Sequence, residues 1–214
     1  MGNSHIEDNK LIAKNTIMLY IRMMFGMLVS FYTSRVILNA LGVEDYGIQN
    51  VVGGFVSMFS LISVSLSSSV GRFLTFELGK GDYESLKKVF STSVLIHIVL
   101  AIVVFVLSET VGVWFVNNKM VIPESRLYAA NWVFQASILS FMFGLLSVPY
   151  NALIVAHERM SAFAYIGILE IVLRLAVVLF VAYCPFDFDK LIIYSVLLTG
   201  LGIDTSLQNK MMSD

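Results

Sequence analysis

One cysteine in 214 residues, Cys184, excludes an internal disulfide and any metal site built from several cysteines. Histidine is nearly as scarce: His5, His97 and His157 are scattered, with no metal-ligand spacing. Charge is the largest deficit. Charged residues make up 14% of the chain, against about 25% in soluble domains, while 57% are hydrophobic. Mean hydropathy is +0.82, so the composition is that of an integral membrane protein. A net charge of −1 points to no nucleic-acid partner and no acidic tail.

Catalytic signatures are missing too. His157-Glu158 has Ser161, not a second histidine, at the zinc-protease position. Gly79-Lys80-Gly81-Asp82 superficially matches an intramembrane aspartyl-protease motif, but it sits in a solvated turn without a second intramembrane aspartate. Neither GxSxG nor a P-loop occurs, so the chain reads as a non-enzyme needing no cofactor or metal. The polar start followed by a long apolar run is not signal-peptide-like, and Ile6 breaks the myristoylation pattern.

What is present is apolar sequence in membrane-sized lengths. Behind a polar tail (1–15), five full spans are expected at about 16–41, 48–70, 89–108, 131–148 and 161–184. A sixth run, 191–203, is short, and the ending 204–214 is polar and unlike the rest. The expected fold is therefore all-α, one transmembrane bundle of five spans plus a short or truncated sixth. With the N-terminus inside, inner segments hold Lys10, Lys14, Arg72, Lys80, Lys87, Lys88 and Arg159. Outer loops hold only Lys119, Arg126 and Lys190, which favours a cytoplasmic N-terminus by the positive-inside rule. The short last run suggests a truncated product of a larger gene; downstream coding DNA without further apolar spans would sink that idea.

The fifth span carries Glu170 and Arg174 near its centre. Each costs roughly 2.5–3.5 kcal/mol at the bilayer midplane, so such residues usually face a bundle interior or a wet cavity. Four residues apart, they share one helix face, with Glu preceding Arg in the more favourable order. The pair reads either as self-neutralising helix packing or as part of a site. Arg22 and Arg35 of the first span lie about 140° apart on an ideal helix and cannot share a narrow face. Each either faces the interior or snorkels to headgroups. Gly53, Ser57, Ser60, Ser67 and Gly71 form a small-residue stripe in the second span, for close packing or for a hydrated wall. His97 is either a structural histidine or a proton relay.

Three stretches bear a likeness to known proteins: TSRVILNALGVEDYGIQNVVGG (Thr33–Gly54), RFLTFELGKGDYESLKKVFSTS (Arg72–Ser93) and SVPYNALIVAHERMSAFAYIGILE (Ser147–Glu170). The chain resembles the multidrug/oligosaccharidyl-lipid/polysaccharide exporter superfamily, nearest its polysaccharide-export and O-antigen flippase branch. The resemblance implies two six-helix bundles around a central cavity, of which this chain supplies the N-terminal one. It further implies alternating access in a bacterial inner membrane and a lipid-linked oligosaccharide diphosphate as substrate. It also implies coupling to a cation gradient (H+ or Na+), and self-association if the chain is truncated. Basic residues commonly line that cavity, so Arg174, Arg22 and Arg35, with Glu170, are the substrate-binding candidates. Net intramembrane charge of +2 leans toward an anionic substrate. The competing readings are a cation-coupled drug exporter of the same superfamily and a non-transporting membrane fragment.

Overall fold

The computed structural model describes the backbone of residues 2–157, 160–183 and 189–213, and the side chains of 13–157, 164–183 and 189–211. Cys184, Pro185 and Asp187, like Glu158 and Arg159 of the charged connection, lie outside the described residues. Among the described residues seven α-helices follow in order: α1 (Gly2–Ser57), α2 (Ser60–Lys80), α3 (Tyr83–Leu107), α4 (Val113–Asn118), α5 (Leu127–Ala156), α6 (Met160–Tyr183) and α7 (Lys190–Ser213). A π-helical turn, Ser108–Gly112, joins α3 to α4, and a 3-10 turn, Glu124–Arg126, leads into α5. No strand occurs among the described residues. Five stretches are long and apolar enough to cross a membrane: Ala13–Ser57, Tyr83–Asn118, Glu124–Ala156, Ala164–Tyr183 and Lys190–Met211. The protein is an all-α, multi-pass membrane protein.

Gly42 organises the first helix. Its φ of 82° and ψ of 170° are non-helical, a conformation open to glycine because it lacks a Cβ. A straight rod would separate Gly26 from Ser57 by about 46 Å. Both instead line one cavity, so α1 folds back on itself at Gly42 as a hairpin of two arms. The six-residue turn expected at 42–47 is thus a one-residue bend.

Pairings between helices give the direction of every pass. The second arm of α1, continued by α2, runs parallel to α5: Asp45 meets Arg126, Phe55 meets Phe134, and Phe59 meets Phe141. Leu74 then packs in one cluster with Ala152 and Ala156. Helix α7 is also parallel to α5, through Asp189–Arg126, Thr199–Ala136 and Ser206–Phe143, each 63 residues apart. The first arm of α1 runs alongside α6, with Arg22 at Gly167 and Gly26 at Ile171. Helix α3 is antiparallel to α5, since Phe90 touches Tyr150 and Gly112 touches Phe134. Among the described residues the two arms of α1, then α3, α5, α6 and α7, therefore alternate in direction.

The main core lies where the second arm of α1 meets α5, around Val52, Val56, Val133, Phe134 and Ile138. Gly112 is needed there, because a Cβ would come within 2.5 Å of the Phe134 ring. Between apolar helices in lipid, this fit contributes through van der Waals contact rather than water exclusion.

The described helices differ from the expected boundaries in four places. Helix α1 starts at Gly2, so the expected tail (1–15) is helical; no proline precedes Pro123 to stop propagation. The span expected at 48–70 is interrupted at Met58–Phe59, where i→i+3 bonds such as Phe59 N–H to the Val56 carbonyl replace the regular ladder. This break divides the small-residue stripe between two helices. Helix α5 continues through Pro149 to Ala156, where an end at Pro149-Tyr150 was expected. A membrane helix tolerates that lost bond when neighbours re-satisfy the backbone. Finally, α7 does not stop at Asp204. Thr205 returns its hydroxyl to the Leu201 carbonyl, Ser206 donates across to α5, and Asn209 is buried, so polar residues of 204–214 take part in the bundle.

Candidate functional site

Two adjoining cavities, of about 470 and 340 Å³, lie between both arms of α1 and helices α5, α6 and α7. They share Gln49, Gly53, Ser57, Arg174 and Leu198, and so form one tract. Hydroxyl and amide side chains dominate its polar wall: Ser30, Thr33, Ser34 and Asn50 in the larger part, Ser137, Ser140, Ser195 and Thr199 in the smaller.

Many of these groups are already committed. Thr33 donates to the Ser30 carbonyl (3.0 Å), Ser57 to Gly54 (2.7 Å), and Asn50 to Tyr46 (2.7 Å). Ser195 donates to Gln49 Oε1 at 2.9 Å, pinning α7 to the second arm. Thr199 reaches the Ala136 carbonyl at 2.8 Å, pinning α7 to α5. A wall whose dipoles are fixed in this way needs little reorganisation around a ligand.

Among the described residues Arg174, an exposed side chain, is the single charged residue lining either cavity. No ion pair joins it to another described residue, so its guanidinium faces the tract without a counter-charge. Ile171 and Val178 flank it on the same α6 face.

The other sequence candidates lie elsewhere. Glu170 makes no ion pair with Arg174 and does not line the tract. The cavity face of α6 is set by Ile171, Arg174 and Val178, and Glu170 sits about 75° from its centre. The shared face inferred from i,i+4 spacing is therefore split by the direction of the tract. Arg22 is half-buried and packs its guanidinium directly over Gly167, where any Cβ would overlap it. That places it one turn beyond the cavity residue Gly26. Arg35 is exposed and lines neither cavity, although its neighbours Thr33, Ser34 and Ile37 do. Of the small-residue stripe, Gly53 and Ser57 line the tract, whereas Ser67 and Gly71 line a separate cavity.

His97 is fully buried, with Nδ1 2.7 Å from the carbonyl of Ser93 on its own helix. The carbonyl can only accept, so Nδ1 carries a proton, and Nε2 is buried with no hydrogen-bond partner among the described residues. Among the described residues no three His, Cys, Asp or Glu side chains converge as a metal site would need.

Sequence reasoning missed a cluster at one end of the tract. Arg126 donates from Nε to Asp45 Oδ1 (2.7 Å) and from Nη1 to Asp189 Oδ2 (2.7 Å). Its Nη2 bonds both carboxylates, making the guanidinium bidentate to each. The three residues open three parallel passes, so this one fork clamps the second arm of α1, α5 and α7 together. The Arg126 side chain is 25% exposed, which puts the cluster at a rim rather than in the core. The available signal was topological: Asp45, Arg126 and Asp189 were all expected in loops on one side.

No family model matches the chain, and no solved structure matches it. The uncharacterized membrane protein EpsK of Bacillus subtilis (strain 168) is 21% identical to it over 161 residues, covering 75% of this chain and 32% of that protein. The chain thus spans about a third of the length of the curated relative it matches. This likeness agrees with a multi-pass membrane protein.

Proposed function

We propose that the chain is the N-terminal lobe of an inner-membrane flippase for lipid-linked oligosaccharide, working by alternating access in a transport and not a catalytic role. One observation carries the reading: among the described residues Arg174, itself exposed, is the sole charge lining a polar tract between apolar helices, and it has no ion-pair partner there. Such a guanidinium favours an anion with planar oxygens, and a diphosphate supplies them. The surrounding hydroxyls and amides suit the sugar hydroxyls next to that diphosphate. With the N-terminus cytoplasmic, the Arg126 clamp closes the periplasmic end, and loading takes place from the other side. Exchange of the clamp between formed and broken states, driven by an H+ or Na+ gradient, would provide the alternation.

The test reconstitutes the chain in liposomes with a fluorescent polyprenyl-diphosphate oligosaccharide and follows its crossing by dithionite quenching. Wild type, self-associated so that a second copy stands in for the other lobe, is expected to move the lipid, and Arg174→Ala to slow it at least about ten-fold at unchanged helicity, the loss of one charge-assisted contact. Equal rates in the two proteins would sink the assignment of Arg174. Transport of cationic dyes with no movement of the glycolipid would place the chain with drug exporters instead.

A further inference from the structure

A second cavity, of about 730 Å³, lies between α2 and α5, remote from Arg174. Along α5, Asn151 stands about 38 Å from the Arg126 clamp, so this cavity belongs to the opposite end of the bundle. A hydrocarbon core is about 30 Å thick, which puts this end at headgroup depth when the clamp lies at the other surface.

Its hydroxyls make no hydrogen bond among the described residues, whereas Thr33, Ser57, Ser195 and Thr199 of the central tract do. Ser65 and Ser69 on the same helix turn their hydroxyls back to the Leu61 and Ser65 carbonyls. Ser68, Arg72 and Thr75 occupy the i, i+4, i+7 face of α2, with Ser67 beside them, and all line the cavity. Among the described residues the structure gives these hydroxyls no hydrogen bond and Arg72 no ion pair. Across the cavity on α5, Asn151 buries Oδ1 with no donor to meet it. An unsatisfied buried amide oxygen costs free energy unless a ligand supplies an N–H or O–H. Phe76, Ala152 and Val155 complete an apolar wall.

We propose that this cavity is a headgroup site for a phosphodiester lipid, with phosphate on Arg72 and the α2 hydroxyls and a headgroup hydroxyl or ammonium donating to Asn151. Arg72 supplies the charge-assisted fork that a phosphate oxygen pair accepts. Basic pockets between membrane helices hold phosphate headgroups for this reason. The apolar wall accepts the first acyl carbons, which a free phosphate would leave unfilled. This site is independent of the reading given to Arg174.

The purified full chain in dodecylmaltoside micelles can be titrated with dihexanoylphosphatidylglycerol by native mass spectrometry. Inorganic phosphate and dihexanoylglycerol serve as parallel probes. Saturable binding of the phospholipid alone is expected, weakened about ten-fold by Arg72→Gln and about three-fold by Thr75→Val. Thr75→Val removes one hydroxyl from an exposed face without touching charge, and Arg72→Lys keeps the charge without the fork; both guard against a folding defect. Unchanged affinity in Arg72→Gln and Thr75→Val overturns the proposal. Equal binding of dihexanoylglycerol would mean an apolar groove only, and equal binding of inorganic phosphate would mean an anion site without lipid; either outcome overturns it.

Discussion

The two ends of the bundle are held in different ways. At one end Arg126 bridges Asp45 and Asp189, residues 81 and 63 positions away in sequence, so three passes share one ionic clamp. At the other end the ion pairs among the described residues are local: Lys80 with Glu77 on α2 and Lys88 with Glu84 on α3. Caps there are local too. Gly81 closes α2 in the left-handed conformation, and Asp82 caps α3 by accepting from the Ser85 N–H and hydroxyl. A long-range clamp fixes helices to one another, whereas a local cap fixes only its own helix. One end shares an ionic tie; at the other α2, α3 and α5 meet through apolar packing around Leu74, Leu86 and Ala152. The same contrast separates two arginines, since among the described residues Arg126 pairs with two carboxylates and Arg174 with none.

The largest expected effect is at the clamp. Arg126→Gln leaves two aspartates facing each other and is expected to cost about 3 kcal/mol of stability. Thermal unfolding followed by tryptophan fluorescence in micelles would read it. Adding Asp45→Asn and Asp189→Asn should recover about half of that loss, since the like charges are then gone. An unchanged midpoint in Arg126→Gln would show that the clamp does not hold the end. Arg174→Leu sharpens the comparison from the other side. With no partner to lose, it should leave the midpoint within about 0.5 kcal/mol of wild type. A drop matching that of Arg126→Gln would mean that Arg174 has a structural role, and the contrast would fail.

The smallest effect belongs to the locally capped end. Hydrogen bonds from Ser85 hold the Asp82 carboxyl below its ordinary range. A carboxylate with a lowered folded-state pKa stabilises fully above the ordinary aspartate range, and that contribution is lost as pH falls through the lowered value. The Ser85 amide resonance should therefore titrate with an acidic midpoint below that of a free aspartate, with α3 fraying only at its first turn. A midpoint in the ordinary range, or loss of the whole bundle at that pH, would contradict a purely local cap.

Much of this fold is legible in the sequence because lipid demands it. Backbone groups in hydrocarbon must pair within their own segment, so apolar runs of membrane length become helices. Composition already marks the runs near α3, α5 and α6. It fails at 204–214, because polarity looks like an exit when Ser206 and Asn209 in fact have places inside the bundle. It fails again at 48–70, where nothing in the hydropathy marks the break at Met58–Phe59. At the site, the sequence singled out Arg174 but paired it with Glu170, which spacing permits and the tract's direction does not.

Sequence by itself determined that charges inside these helices would be few and would seek protein or water, because isolated charges in hydrocarbon are costly. It also determined the face each occupies on its own helix. Only the tertiary structure decided which charge meets which surface. Arg174 opens onto hydroxyls, Arg22 covers a glycine, Arg35 lies outside the tract, and Arg126 closes on two distant aspartates. Helical periodicity fixes an angle around one axis. Opposing a side chain with a partner takes a second axis, which the fold-back at Gly42 and the parallel packing against α5 supply.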